Sequence, residues 1–388
     1  MITLRGRDPD TGQLLQVKCA GDRITSVDGL PEETCDDWLS AGFIDLQVNG
    51  YGGIDLNRDD LAVQDVIALT DKLALLGTTR YLPTIITGSR QKIAHCIEII
   101  RQAREENAQV HHAVAGIHLE GPYLSPEDGY RGAHDASQIR RPSLDEFAEW
   151  QRACGGLIRL ITLSPHWPGV AAFIRAVCAM GVRVAIGHTS ATGEQIKTAV
   201  DAGATLSTHL GNGLPSQLAR HPNPIWSQLA EDSLSASFIA DGVHVDAATL
   251  TSMIRCKGKS RSILISDSVA LAGGSPGRYR ASVGGDVSVE EDGSIRMSSS
   301  SLLAGSGIAL RDAVARAPGL AGVTLGDAVE MASRHPAALL DLKTGLVAGA
   351  PADLVLFRWK PHETTLQIRN VMVQGTWLRQ PDTGNEEG

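Results

Sequence analysis

Val182-Arg183-Val184-Ala185-Ile186-Gly187-His188-Thr189, then the helical stretch 193–202, then Ala204-Thr205-Leu206-Ser207-Thr208-His209-Leu210: this part of the chain decides the reading of the fold. Two apolar runs, each too short for a helix, flank a segment long enough to be one. A crossover of that length brings the second strand back parallel to the first. Each run closes on a histidine, at 188 and at 209.

The same alternation extends outward in both directions. Apolar runs at 43–48, 80–86, 113–119, 157–163, 182–186, 204–207, 235–239 and 262–265 alternate with helical stretches that include 61–76, 91–105, 170–180, 193–202 and 247–256. Eight strand–helix repeats predict an α/β fold of the (β/α)₈ TIM-type barrel class. After the last run, 279–297 reads as an inserted hairpin, with Gly284-Gly285 and Asp292-Gly293 as turns, and helices near 307–315 and 325–333 close the ring. The ends differ in style. Short strands at 14–17 and 24–27 and again at 353–357, 365–371 and 373–378 show no helical period. They predict a small β-sandwich domain built from both termini, 1–41 with 345–380, around a barrel at 42–344, with a frayed polar tail after Pro381.

Composition limits the function. At 388 residues, 43% hydrophobic and 20% charged, the chain can bury a large core. Aromatics at 4% and a net charge of -9 argue against a nucleic-acid partner. Six dispersed cysteines without a CxxC pair read as reduced thiols. No apolar run approaches membrane-spanning length and the N-terminus lacks a signal pattern, so the expectation is a cytoplasmic protein with no membrane contact.

Active sites of such barrels form at the C-terminal ends of the strands. The polar residues that follow the runs are Gln47 and Asn49, His118 and Glu120, His188, His209, Asp241 and His244, and Asp267. Glu120, His188 and His209 form a candidate ligand triad, because a catalytic zinc site takes three imidazole or carboxylate donors and keeps one position open. An ion there lowers the pKa of a water and polarises a carbonyl oxygen. Taken singly, each histidine reads as well as a satisfied structural residue. Asp267, after the last strand, suits a general acid/base, with the cap of a Ser-Asp-Ser turn as the plain alternative.

At these residues the chain resembles the amidohydrolase superfamily, and within it the N-acetylglucosamine-6-phosphate deacetylase family. The resemblance rests on Gly42-Phe43-Ile44-Asp45-Leu46-Gln47-Val48-Asn49-Gly50, His118-Leu119-Glu120-Gly121-Pro122 and Gly187-His188-Thr189. It continues through Thr208-His209-Leu210-Gly211-Asn212-Gly213-Leu214-Pro215, Ala240-Asp241-Gly242-Val243-His244-Val245 and Pro351-Ala352-Asp353-Leu354. It implies a metal-dependent hydrolase of linear amide bonds that removes the acetyl group of an amino-sugar phosphate in amino-sugar catabolism. It further implies one divalent ion per subunit on Glu120, His188 and His209, with zinc first and iron, manganese or cobalt as alternatives. Asp267 would be the acid/base, and His134 would polarise the acetyl carbonyl. Asn212, the Gly213 backbone and His244 would grip the sugar phosphate, and Leu303, Ala304 and Gly305 would line the sugar pocket. Arg220 would reach the substrate of a neighbouring subunit, which implies a homodimer; a solvated loop charge is the alternative, as a structural role is for His134 and an N-cap at Ser306 for the pocket segment.

The chain also departs from the pattern. Gln47 and Asn49 occupy the places of the two-metal His-x-His motif, and amides are poor ligands, so a single-metal site is expected. Ser266-Asp267-Ser268 stands where the family usually has Thr-Asp-Ala, and His166 stands where it tends to have Glu. The loop 125–131 is longer than in its best-known members. These changes bear on the substrate: a non-phosphorylated N-acetyl sugar, a cyclic amide or an N-acyl amino acid is the alternative. A non-catalytic barrel is the third reading.

Overall fold

A computed structural model describes residues 1–298, 300 and 302–378. Its central strands are Phe43–Val48 (β1), Thr78–Ile86 (β2), Ile117–Glu120 (β3), Ile158–Leu163 (β4), Arg183–Ile186 (β5), Ala204–Ser207 (β6), Ser235–Ile239 (β7) and Ser262–Ile265 (β8). They form one sheet in that order, and every ladder is parallel. Because helices cover the outside and side chains from the other strands fill the inside, β1, β3 and β8 are buried at every position. The short, almost purely apolar runs of the sequence follow from that.

The barrel closes between β1 and β8 with few bonds. Val48 bridges Ser268, the Asn49 N–H donates to the Ser268 carbonyl at 2.8 Å, and the buried Asp45 carboxylate accepts the Ser266 N–H at 3.2 Å. Below the mouth, Leu46, Leu82, Leu160, Ala185, Leu206, Ile239 and Ile263 fill the interior, and Leu340 joins them. The barrel is therefore a packed core with an opening at one end only for the residues that leave the strand tips.

Most element bounds fall within two residues of the sequence expectation, and β1, β6, β7 and β8 coincide with it. The run 113–119 does not. Asn107 accepts the Val110 N–H and starts a short helix, Ala108–Ala113, so β3 begins only at Ile117. The inserted hairpin carries a third strand: Gly277–Ala281, Gly285–Val289 and Ile295–Met297 are antiparallel and pack on Val269 and Ala304.

The strands from the two ends make one seven-stranded sheet, ordered Thr376–Trp377, Gln367–Val373, Leu354–Arg358, Trp38–Ala41, Ile2–Arg7, Leu14–Ala20, Arg23–Gly29. It folds over on itself. Ile24 N–H donates to the Ala350 carbonyl and Ala352 N–H to the Asp22 carbonyl, so the last strand edge meets the segment 349–352. The enclosed core holds Leu4, Val17, Ile24, Leu39, Leu354 and Met372. Asp353 ties this sheet to the barrel: it contacts His112 Nε2 at 2.8 Å and Arg80 Nε at 3.6 Å, and accepts the Gln374 N–H. The tail after Pro381, with residues 379 and 380 of the expected sandwich, lies outside the described residues.

Candidate active site

His188, His209 and Asp267 each stand two residues beyond the last residue of their strand, β5, β6 and β8. All three have left-handed backbones, with φ of 48°, 29° and 49°. L-residues visit that region rarely, and a side chain held there is fixed by its surroundings. At these three points the chain leaves the strand direction sharply, which turns each side chain over the barrel mouth. For His209 the turn is held by its N–H, which donates to Ser237 Oγ at 2.8 Å.

The groups converge on Glu120, at the tip of β3. Its Oε1 lies 3.0 Å from His209 Nε2 and 3.5 Å from His188 Nε2. His188 Nδ1 donates to the Tyr130 carbonyl at 2.9 Å, which leaves Nε2 as the free lone pair facing Glu120. The His134 ring packs edge-on against His188 at 4.5 Å, and its Nδ1 meets Thr87 Oγ1 at 3.0 Å. Glu120, His134 and His188 each offer a ligand atom within 4.8 Å of the others. One carboxylate and two imidazoles, one of them oriented by a backbone carbonyl, are a donor set that fits a divalent ion of borderline softness.

Glycine makes part of this geometry. Gly213 has φ 62°, and a Cβ there would lie 2.5 Å from His188 Nδ1. The loop after β6 can press on the imidazole only because that atom is missing.

Gln47 and Asn49, the amides at the tip of β1, do something the sequence did not disclose. Gln47 Nε2 donates to both Glu120 Oε1 and Asp267 Oδ1, at 3.0 Å each. Asn49 Nδ2 donates to the same Asp267 Oδ1 at 2.8 Å. The two carboxylates are thus joined through one amide group, and Asp267 is held by one of its oxygens. Burial, and then the Glu120 charge, push the Asp267 carboxyl up to about 7. Burial acts on Glu120 in the same direction, but the close approach of the His188 and His209 imidazoles outweighs it and holds its carboxyl well below the usual range. Burial, with His188 beside it, lowers His134 to about 3, so its imidazole is neutral at physiological pH.

Above these residues lies a cavity of about 260 Å³. Of the residues expected to contact substrate, Asn212, Gly213, His244, Leu303 and Gly305 line it. His244 is fixed by Asp241, 2.6 Å from its Nδ1. Ala304 is fully buried in the core beneath the insert and does not reach the cavity wall, while Arg220 is exposed and lies outside it. Arg296, on the last strand of the insert, lines the cavity and was not foreseen. His166 is half-buried outside the cavity, with Nδ1 on Ser164 Oγ at 2.6 Å.

The Amidohydrolase family model matches residues 38–378. The chain is a member of the amidohydrolase family. This amidohydrolase is 33% identical over 351 residues to the N-acetylglucosamine-6-phosphate deacetylase of Bos taurus, covering 87% of this chain and 82% of that one. It is 30% identical over 366 residues to the N-acetylgalactosamine-6-phosphate deacetylase of Escherichia coli O157:H7, covering 93% of each. The crystal structure of N-acetyl-D-glucosamine-6-phosphate deacetylase from Mycobacterium smegmatis superposes with a TM-score of 0.85 at 29% identity, covering 97% of this chain and 100% of that one. Metal dependence belongs to the amidohydrolase superfamily, and the Glu120 cluster supplies the donors for it. Among the described residues no helix is long and apolar enough to cross a membrane.

Proposed function

We propose that this amidohydrolase removes the acetyl group of N-acetylglucosamine 6-phosphate, giving glucosamine 6-phosphate and acetate, in amino-sugar catabolism. The observation that carries the reading is Asp267: a buried carboxyl near neutrality, held by one oxygen and facing a cavity whose floor is a Glu–His cluster.

Glu120, His188 and His209 would hold one divalent ion, zinc first among the candidates. When bound, it supplies Lewis acidity and a water that is nucleophilic at neutral pH. The remaining steps belong to side chains. Asp267 takes a proton from the attacking water and delivers it to the amide nitrogen as the C–N bond breaks. His134 is neutral, and with Thr87 Oγ1–H donating to its Nδ1 it carries its proton on Nε2, from where it donates to the acetyl oxygen. The opposite tautomer would make His134 a ligand. The mutual approach of Glu120, His134 and His188 favours this second reading of the ligand set, which metal content in His134→Gln and His209→Gln separates.

The phosphate would lie toward Asn212, the Gly213 backbone and His244, with Leu303 and Gly305 along the sugar and Ala304 packing behind them. Arg220, exposed on its own chain, is available to a second subunit, which is the reason a homodimer belongs to the proposal. Six free cysteines fit a reducing, cytoplasmic setting. The division into a sandwich of 1–41 with 345–380 and a barrel of 42–344 is likewise proposed. The two curated relatives named above differ in the epimer at C4 of the sugar, so the assay must carry both.

The test is acetate release from N-acetylglucosamine 6-phosphate, N-acetylgalactosamine 6-phosphate and their unphosphorylated forms, with and without chelator. The expected result is chelator-sensitive release that favours the phosphorylated sugars. Asp267→Asn should keep its metal and lose at least about 100-fold in kcat. Release that survives complete metal removal, or equal rates with and without the phosphate, would overturn the reading.

A further inference from the structure

Asn49 has a second polar atom, and it is unused. The side chain is 3% exposed and lines the cavity. A carboxylate oxygen accepts, so the end of Asn49 that faces Asp267 is the Nδ2 donor, and the carbonyl oxygen lies on the other side. That Oδ1 has no hydrogen-bond partner among the described residues. A buried amide oxygen without a donor is costly, and native proteins keep one where a ligand or water supplies the donor. The two carboxylates at this end of the cavity, Glu120 and Asp267, are acceptors already committed to Gln47 and the histidines. The complementary group on an occupant of this cavity is therefore an N–H or O–H placed close to Asp267.

We infer that Asn49 is a substrate-binding residue whose Oδ1 accepts the N–H of the scissile secondary amide while its Nδ2 holds Asp267. The inference rests on the amide-hydrolysis reading above and names the contact that selects an amide. The stereochemistry is consistent. As water adds to the carbonyl carbon, the nitrogen becomes pyramidal and its lone pair points away from the carbon–oxygen bond being formed. With its N–H held on Asn49 Oδ1, the remaining direction for the lone pair is toward Asp267, whose Oδ1 is occupied by two amides and whose Oδ2 is the atom left to carry a proton. That proton passes to the nitrogen lone pair, the C–N electron pair stays on nitrogen, and the product is a primary amine with acetate. One of the two product N–H groups is the one Asn49 already holds. A single side chain thereby fixes both the acid and the atom it protonates.

The decisive experiment compares wild type with Asn49→Ala on two probes differing only at the reacting position: N-acetylglucosamine 6-phosphate and the ester 2-O-acetylglucose 6-phosphate. Asn49→Ala also frees one side of Asp267, which slows the amide more than the ester, so the readout is the ratio of kcat/KM for amide over ester relative to the same ratio in Gln47→Leu, which loosens the same Asp267 oxygen and keeps Asn49 Oδ1. That ratio should fall about tenfold in the variant, the worth of one neutral hydrogen bond. A second measurement avoids turnover: calorimetric affinity of the metal-stripped protein. Asn49→Ala should bind N-acetylglucosamine 6-phosphate about tenfold more weakly, with the affinity for glucose 6-phosphate unchanged. An unchanged amide-to-ester ratio, or equal losses for both sugar phosphates, overturns the assignment. So does a variant that loses metal yet keeps its metal-free affinity, because Oδ1 would then be a ligand atom. If wild type itself releases no acetate from the amide probe, the deacetylase reading falls first and this one with it. If wild type releases it and the ratios do not move, only the Asn49 contact falls.

Discussion

Replacing Gln47 by Leu removes one amide from between two buried carboxylates and leaves the volume nearly unchanged. Gln47 is 1% exposed, and its Nε2 makes two bonds of 3.0 Å, to Glu120 Oε1 and Asp267 Oδ1. Hydrogen bonds to charged groups are worth about 1.5–3 kcal/mol each. Neither carboxylate is left without a donor, since Glu120 keeps His209 and Asp267 keeps Asn49. The cost therefore falls at the low end, about 3 kcal/mol for the two bonds in the metal-free protein. At about 2–4 °C per kcal/mol for chains somewhat shorter than this one, Tm should fall by about 6–12 °C. A divalent ion on the cluster compensates the freed negative charge, so the metal-loaded variant should lose clearly less. The assay is thermal unfolding of wild type and Gln47→Leu, each with chelator and with saturating zinc. An equal Tm loss in both states, or a larger one with metal, would refute the idea that the amide stands in for positive charge between the two carboxylates.

Three further outcomes follow from other contacts. Gly213→Ala places a methyl group against His188 Nδ1 and breaks its hold on the Tyr130 carbonyl, so metal affinity should drop about 10–100-fold in a competition titration with a chelator, the range seen when partners of ligand histidines are lost. Lys257 is fully buried with its Nζ on the Glu231 and Leu234 carbonyls, and burial pushes its ammonium down to about 8. Between that value and its ordinary 10.5 the unfolded chain binds the proton and the folded one does not, so stability relative to Lys257→Met should rise with pH across this window in denaturant titrations. Asp353→Asn weakens the contact with His112 and Arg80 between sheet and barrel, and should lower Tm by several degrees while leaving kcat/KM unchanged well below the transition.

The barrel was legible because its signal is local. β1, β6, β7 and β8 are runs of four to six residues buried on both sides, and each stops where the chain turns polar. The helix Leu144–Ala153 escaped notice although Ser143 accepts the Glu146 N–H, a start signal that Ser-x-x-Glu spells out. Trp38–Ala41 is paired along its length by Leu354–Arg358, with Arg7 meeting only Trp38 on the other side, and no local pattern announces a partner three hundred residues away. The site divides in the same way. Glu120, His188, His209 and Asp267 stand where strand ends deliver side chains. Gln47 and Asn49 were read for what they cannot do, bind metal, because their partner Asp267 is 220 and 218 positions distant. Arg296 sits in the cavity wall through the fold of the insert, which its own sequence does not disclose.

The folded-over sheet has a consequence for how the molecule is made. Its strand Trp38–Ala41 leaves the ribosome early but pairs with Leu354–Arg358, and Ile24 waits for residues around Ala350. Until residues 350–358 emerge, residues 1–41 therefore carry an unsatisfied strand edge beside a maturing barrel, and that later stretch of nascent chain covers it. Synthesis that stops before residue 354 yields a cylinder with its N-terminal ribbon uncapped, a species suited to aggregation or to capture by chaperones.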